Sequence, residues 1–210
     1  MIKLVHLDRS RSERVLWLLE ELSLPYEVEA FERRQDLFAP DAMRKTHALG
    51  RAPVIYDGEV VLAESGAIVE YILALYGGGR LAVAPGAPNF ARYLYWLHYA
   101  EGSLMLQLLR EWSLDRMLPD ADAHPGMARV RAGTLTHLRM IEEELTRSPY
   151  LAGEAFTAAD IMMAYPFTTF RRHVRPLDLG PYPAISAYAA RLESRPAFQK
   201  AVRPVGPPAA

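Results

Sequence analysis

The sequence predicts two packed units, an α/β layer first and an all-helical bundle second. Three observations point to this. Strand-like apolar runs end by about residue 76, apolar residues at helical spacing dominate after residue 88, and a Gly/Pro-rich stretch separates the two patterns.

Ile2-Lys3-Leu4-Val5-His6-Leu7 is mostly apolar, the pattern of a strand buried on both faces of a central sheet. After the polar turn Asp8-Arg9-Ser10-Arg11, the residues Val15, Leu18, Leu19 and Leu22 share one helical face, with Ser12 placed to act as its N-cap. Pro25 ends that unit, and Tyr26 to Phe31 alternates like a second strand. Strand, helix, strand implies a parallel pair with a right-handed crossover. Residues 32–50 are polar and irregular, with one weak helical turn. Pro53-Val54-Ile55-Tyr56 and Glu59-Val60-Val61-Leu62 flank Asp57-Gly58, which reads as a hairpin on a two-residue turn. Ala63-Glu64-Ser65-Gly66 leads into a helix with Ile68, Ile72 and Leu75 on one face. The first domain is therefore expected at 1–76 and a linker at 77–88, where Gly77-Gly78-Gly79 and Pro85-Gly86-Ala87-Pro88 fall.

The second domain is expected over 89–203. It opens on a long helix at 89–117 rich in aromatics (Tyr93, Tyr95, Trp96, Tyr99), whose cluster reads as packing. Val130, Leu138, Ile141 and Leu145 mark another helical face. Thr157-Ala158-Ala159-Asp160 resembles a capping box, and Pro166 should kink or end the helix it starts. Ile185, Tyr188, Ala189 and Leu192 mark a last amphipathic helix, and 204–210, rich in Pro, Gly and Ala, reads as a loose tail.

Composition narrows the function. Lys plus Arg number 24 and Asp plus Glu 25, so no basic excess suggests nucleic acid or an anionic membrane as partner. With no cysteine in 210 residues, disulfides, thiolate metal sites and a protein thiol nucleophile are excluded. No apolar stretch approaches the roughly 18 residues that would span a bilayer, and no secretory signal is evident, so the expected compartment is the cytoplasm. No metal-ligand spacing is present.

Several segments together resemble one family. These are Ser10 to Leu22 followed by Leu24-Pro25-Tyr26, Leu49-Gly50-Arg51-Ala52-Pro53-Val54, Glu64-Ser65-Gly66-Ala67-Ile68, Leu151-Ala152-Gly153 through Asp160, and Ser194-Arg195-Pro196-Ala197-Phe198. In order and spacing they resemble bacterial and fungal glutathione transferases across nearly the whole chain. The resemblance implies a thioredoxin-like α/β N-terminal domain, an all-α C-terminal helical bundle, glutathione as co-substrate without a metal, a small apolar electrophile, and a homodimer.

It also implies roles for residues. Glutathione carries two carboxylates, an amine and a thiol. Glu64-Ser65 stands where a turn enters a helix, and free N–H groups there favour an anion. Ser65 would take the γ-glutamyl carboxylate and Glu64 the ammonium; the alternative is that both only cap the helix. Ala52-Pro53 would be cis and aim the Val54 backbone at the ligand, as in strand addition. Arg51 and His47 would lie near the glycyl carboxylate, although Lys45-Thr46-His47-Ala48 departs from the Asn-Pro of many relatives and a solvated loop histidine fits as well. Glu101 would reach across a dimer interface to the ammonium. His98, three residues earlier, could instead pair with Glu101 as a proton couple or stand at a surface. Met105 and Leu109 would wall the electrophile pocket.

For thiol activation, His6-Leu7-Asp8 lacks the tyrosine of tyrosine-type members, which leaves a serine-type arrangement. Ser10, four residues before Arg14, matches the catalytic spacing of serine-type relatives. Ser12 competes, with helix capping as its other explanation, and a backbone amide or Arg11 remains a third source. Asp160 and Arg14 read as a cap and a salt-bridge partner. Reductase-like relatives use a cysteine that this chain lacks. Peroxide reduction, and a non-catalytic ligand-binding role, stand as alternatives.

Overall fold

The computed structural model describes residues 1–203, so the tail expected at 204–210 lies outside the described residues. Strand β1 (Ile2–Leu7) is followed by helix α1 (Glu13–Leu22) and strand β2 (Tyr26–Phe31), and β1 and β2 pair in parallel from Ile2↔Tyr26 to Leu7↔Phe31. Strands β3 (Val54–Asp57) and β4 (Val60–Ala63) form an antiparallel hairpin, and the sheet order is β2-β1-β3-β4. Helix α2 (Ser65–Tyr76) closes the unit. The central position of β1 explains its apolar run. Leu4 and Ile2 join the main core below the sheet, while Val5 and Leu7 pack with Met43 and Val54 in a second cluster above it.

The hairpin turn differs from the sequence reading by one residue. Asp57 pairs with Val60, so the two-residue loop is Gly58-Glu59, and Gly58 takes the positive φ of +58° that its first position requires. Asp57 is held in the strand by the hydroxyls of Tyr71 and Tyr76.

Residues 77–89 contain no helix or strand. The helical part comprises α3 (Phe90–Tyr99), α4 (Leu106–Met117), α5 (Pro125–Arg147), α6 (Ala158–Tyr165), α7 (Arg171–His173), α8 (Pro183–Glu193) and α9 (Pro196–Ala201). The single long helix read at 89–117 is in fact α3 and α4 joined by a π-helical turn at Ala100–Met105. A second π turn, Pro166–Phe170, follows α6, where the missing N–H of Pro166 interrupts the α pattern. Tyr93, Trp96 and Tyr99 are buried; Trp96 packs edge-on and Tyr99 stacked against Tyr95.

Helix α1 joins the two parts. Val15, Leu16, Leu18, Leu19 and Leu22 are all buried, at about 1.5–3 kcal/mol per side chain. The helix packs on α6 and α9 as well as on the sheet. Arg195 forks onto Glu21 at 2.7 and 2.8 Å, tying the Ser194–Phe198 segment to it. Asp160 caps α6 through the Thr157 N–H at 2.8 Å and also takes the Leu151 N–H and the Tyr188 hydroxyl, so its role is structural.

Candidate functional site

The loop between β1 and α1 is held from both halves of the chain. Arg9 adopts a positive φ of 51°, and its carbonyl accepts from the Tyr165 hydroxyl at 3.0 Å and from Arg33. Arg33 also donates to the Asp8 carbonyl at 3.0 Å. The result is to fix Ser10. Its Oγ accepts from the Ser12 N–H at 3.2 Å and lies 2.7 Å from Ser12 Oγ.

Ser12 does not use its side chain as the helix cap that local sequence suggests. Its hydroxyl turns inward, 2.8 Å from His6 Nδ1, and accepts from the Leu7 N–H at 3.2 Å. Fixed tertiary partners have displaced the local cap. Ser12 is 0% exposed and lines neither cavity described below, whereas Ser10, 4% exposed, lines the larger one. Burial lowers the His6 ring to about 4, with Asp8 opposing, so it is neutral at pH 7.

Two adjoining cavities meet beside this loop. The smaller, about 90 Å³, is polar and includes His47, Arg51, Ala52, Pro53, Glu64, Ser65 and Glu101 in its walls. The larger, about 510 Å³, lies between the two halves, with Ser10, Met105, Leu109, Trp112, Tyr165 and Phe170 in its walls and Arg33, Arg34 and Arg44 on its rim. Arg11, Leu49, Arg51 and Ala52 belong to both. A third concavity, about 720 Å³, is lined by Asp115, Asp120, Asp122, Arg131 and Arg175; its Asp115 and Asp122 carboxylates are engaged in ion pairs, and it lies apart from Ser10.

In the small cavity, the Ala52–Pro53 bond is cis. The Val54 side chain is buried and its register pairs it with Val5 and Ala63, while Ala52 and Pro53 supply the cavity wall beside it. His47 turns its Nδ1 to the Leu49 N–H at 3.3 Å, bracing the loop as well as lining the cavity. Glu64 has φ of 71°, which costs a non-glycine residue on the order of 1–3 kcal/mol. That strained turn delivers Ser65 to the first position of the 12-residue helix α2, where unpaired N–H groups and the dipole favour an anion.

Glu101 sits in the π turn and faces the small cavity of its own chain. Arg11 and Arg14 both pair with it and account for this direction. Burial alone would raise the Glu101 carboxyl, but the two guanidiniums outweigh it and hold the group below the usual range. Arg14 is thus an ion-pair partner. His98 lies 3.5 Å from Glu70, so the proposed couple with Glu101 does not form. Glu13, at the start of α1, accepts from Thr169; burial pushes its carboxyl up to about 7. Among the described residues no group of three or more His, Asp or Glu could hold a metal.

Comparison with known proteins matches this arrangement to one family. Residues 4–80 match the model of the glutathione S-transferase N-terminal domain, and residues 121–196 that of the C-terminal domain. Glutathione S-transferase 3 of Schizosaccharomyces pombe is 33% identical over 98% of this chain and 88% of its own length. The chain belongs to the glutathione S-transferase family. A solved glutathione S-transferase from Actinobacillus pleuropneumoniae superposes with a TM-score of 0.84 at 31% identity, covering 96% of this chain and 91% of that one. A glutathione transferase of Phanerochaete chrysosporium, solved with oxidised glutathione, shares the fold with a TM-score of 0.78 at 23% identity over 95% and 92% of the two chains. The fold of this glutathione S-transferase is therefore the thioredoxin-like domain with a four-stranded sheet followed by the helical domain.

Sequence reading missed the structural part of His6, which it noted only as a position without tyrosine, and missed Arg33 and Tyr165 altogether. The signal for His6 was its place on a strand with both faces buried, which points its ring at the chain just beyond the turn. Arg33 and Tyr165 gave no local signal.

Proposed function

We propose that this glutathione transferase holds glutathione along the small cavity and presents its sulfur at the mouth of the larger one, where Ser10 stabilises the thiolate. Ser65 and the N-terminus of α2 take the γ-glutamyl carboxylate, Glu64 and Glu101 the ammonium, and Arg51 with His47 the glycyl carboxylate. The observation that carries the reading is the adjacency of the two cavities, with Ser10 in the wall of one, Glu64 and Ser65 in the wall of the other, and Arg11, Arg51 and Ala52 common to both.

A free cysteinyl thiol has a pKa near 8.5, so at pH 7 a few per cent is ionised. Lowering it by about two units takes roughly 2.7 kcal/mol of preferential stabilisation of the thiolate. The Ser10 hydroxyl and the N-terminus of α1 are placed to supply it. The thiolate sulfur then attacks an electrophilic carbon. A carbon–sulfur bond forms, the bond to the leaving group breaks, and the leaving group departs with its electron pair. Met105, Leu109, Trp112 and Phe170 suit an apolar electrophile. We further read the boundaries of the two domains at 1–76 and 89–203, the enzyme as a homodimer, and its place as the cytoplasm in a detoxifying role; no helix among the described residues is long and apolar enough to cross a membrane.

The test is conjugation of a chloronitroaromatic by Ser10→Ala. We expect kcat/KM to fall about ten- to a thousandfold with the KM for glutathione nearly unchanged, because the carboxylate and ammonium anchors remain. Full activity in the variant would remove Ser10 from the reaction.

A further inference from the structure

We infer that His6 is a positioning residue for the reaction: held as the Nδ1–H tautomer, it donates to Ser12 Oγ and thereby leaves the Ser10 proton free for the thiolate. The inference rests on the assignment of Ser10 above and deepens it.

The argument is a count of protons and lone pairs. His6 Nδ1, Ser12 Oγ and Ser10 Oγ form a buried chain with steps of 2.8 and 2.7 Å. A hydroxyl oxygen has one proton and two lone pairs. Ser12 Oγ spends one lone pair on the Leu7 N–H, and Ser10 Oγ spends one on the Ser12 N–H. Contacts as short as these require a proton in each gap.

Suppose that His6 Nδ1 carries the proton. It fills the second lone pair of Ser12, and the Ser12 hydroxyl must then donate to Ser10. Both lone pairs of Ser10 are now occupied, so its own proton turns to the cavity that Ser10 lines. Suppose instead that Nδ1 is bare. It takes the Ser12 proton, Ser10 must donate inward to keep the 2.7 Å contact, and a thiolate beside Ser10 meets a lone pair instead of a donor. The Leu7 carbonyl, 3.3 Å from Ser12 Oγ, does not alter the count. If Ser12 donated there while Nδ1 was protonated, Ser12 would have to accept three bonds on two lone pairs.

The ring is neutral at neutral pH because burial disfavours its cation, so the open choice is the tautomer alone. Only the Nδ1–H form makes Ser10 a donor outward. His6 touches neither cavity, so any effect it has on the sulfur passes through Ser12 and Ser10.

The experiment compares His6→Phe, His6→Asn and Ser10→Ala with the unaltered enzyme, and records the nitrogen-15 spectrum of the His6 ring in the unaltered enzyme with glutathione bound. Asn places an amide N–H where Nδ1–H stands; Phe removes the donor at similar size. We expect a protonated Nδ1. We expect His6→Phe to lower kcat/KM roughly tenfold without changing the KM for glutathione, and to raise the pKa of the bound thiol by about one unit. Asn should restore most of both, and His6→Phe should add nothing to Ser10→Ala. A protonated Nε2 with a bare Nδ1 would overturn the inference even if the Phe variant fails to fold. An unchanged thiol pKa in folded His6→Phe, where Ser10→Ala does raise it, would overturn it too and leave the Ser10 reading standing. No effect of Ser10→Ala would overturn both.

Discussion

Replacing Glu101 by alanine should destabilise the fold by about 3 kcal/mol. The magnitude follows from what is left behind. The Arg14 side chain is 1% exposed, and its Nε and Nη2 have no hydrogen-bond partner in the structure. Its remaining neighbours are Ser65 Oγ at a marginal 3.5 Å and the face of the Tyr165 ring with its centroid 5.5 Å away. Removing one member of a buried ion pair costs about 3–5 kcal/mol, because a charge stays buried without compensation. Glu101 is itself 27% exposed, so the lower end applies. For a chain of this size, that corresponds to a fall in Tm of roughly 6–12 °C. Urea unfolding followed by circular dichroism would measure it. A double replacement, Arg14→Met with Glu101→Leu, should recover most of the loss, since it removes the charge along with its partner. A loss below about 1 kcal/mol in Glu101→Ala, or no recovery in the double variant, would refute the reasoning.

Ser65→Ala should weaken glutathione binding by about 1.5–3 kcal/mol, a roughly 10- to 150-fold rise in Kd by calorimetry; unchanged affinity would take Ser65 out of the ligand site. Stability should also depend on pH through Glu13. Because folding raises this carboxyl from 4.5 to about 7, the native state binds its proton more tightly than the unfolded chain does. Its contribution is therefore fully present below about pH 4.5 and is lost as pH rises through about 7, by up to about 3 kcal/mol. In Glu13→Gln that loss should vanish, which a series of melting curves from pH 4 to 8 on both proteins would show; parallel curves would reject it.

Much of the fold was legible in the sequence where burial alone decides it. Ile2–Leu7 and Tyr26–Phe31 were bounded correctly because the central strand carries an apolar run, its edge neighbour alternates apolar with charged residues, and turn residues and Pro25 close them. The hairpin slipped by one residue because Asp57-Gly58 and Gly58-Glu59 both offer a glycine for the turn, and the tyrosine hydroxyls that retain Asp57 in the strand come from a helix further along. The π turn at Ala100–Met105 escaped notice because one extra residue barely disturbs helical spacing, yet it carries Glu101. Glu64 and Ser65 could be picked out at a junction of strand and helix, but not the positive φ that aims them. Ser12 misled because capping is a local rule, and the partners that overrode it, His6 and Leu7, become neighbours only when β1 is fixed in the sheet. Tyr165 lies 156 positions from the Arg9 carbonyl it holds, a distance no local pattern spans.

The most direct measurement is the pKa of the glutathione thiol while bound, taken from the ultraviolet absorbance of the thiolate across a pH series. In the unaltered enzyme it should lie about two units below the free value near 8.5, and in Ser10→Ala it should return close to that value with glutathione still bound. The same lowered pKa in both proteins would contradict the assignment of Ser10 as the thiolate's donor.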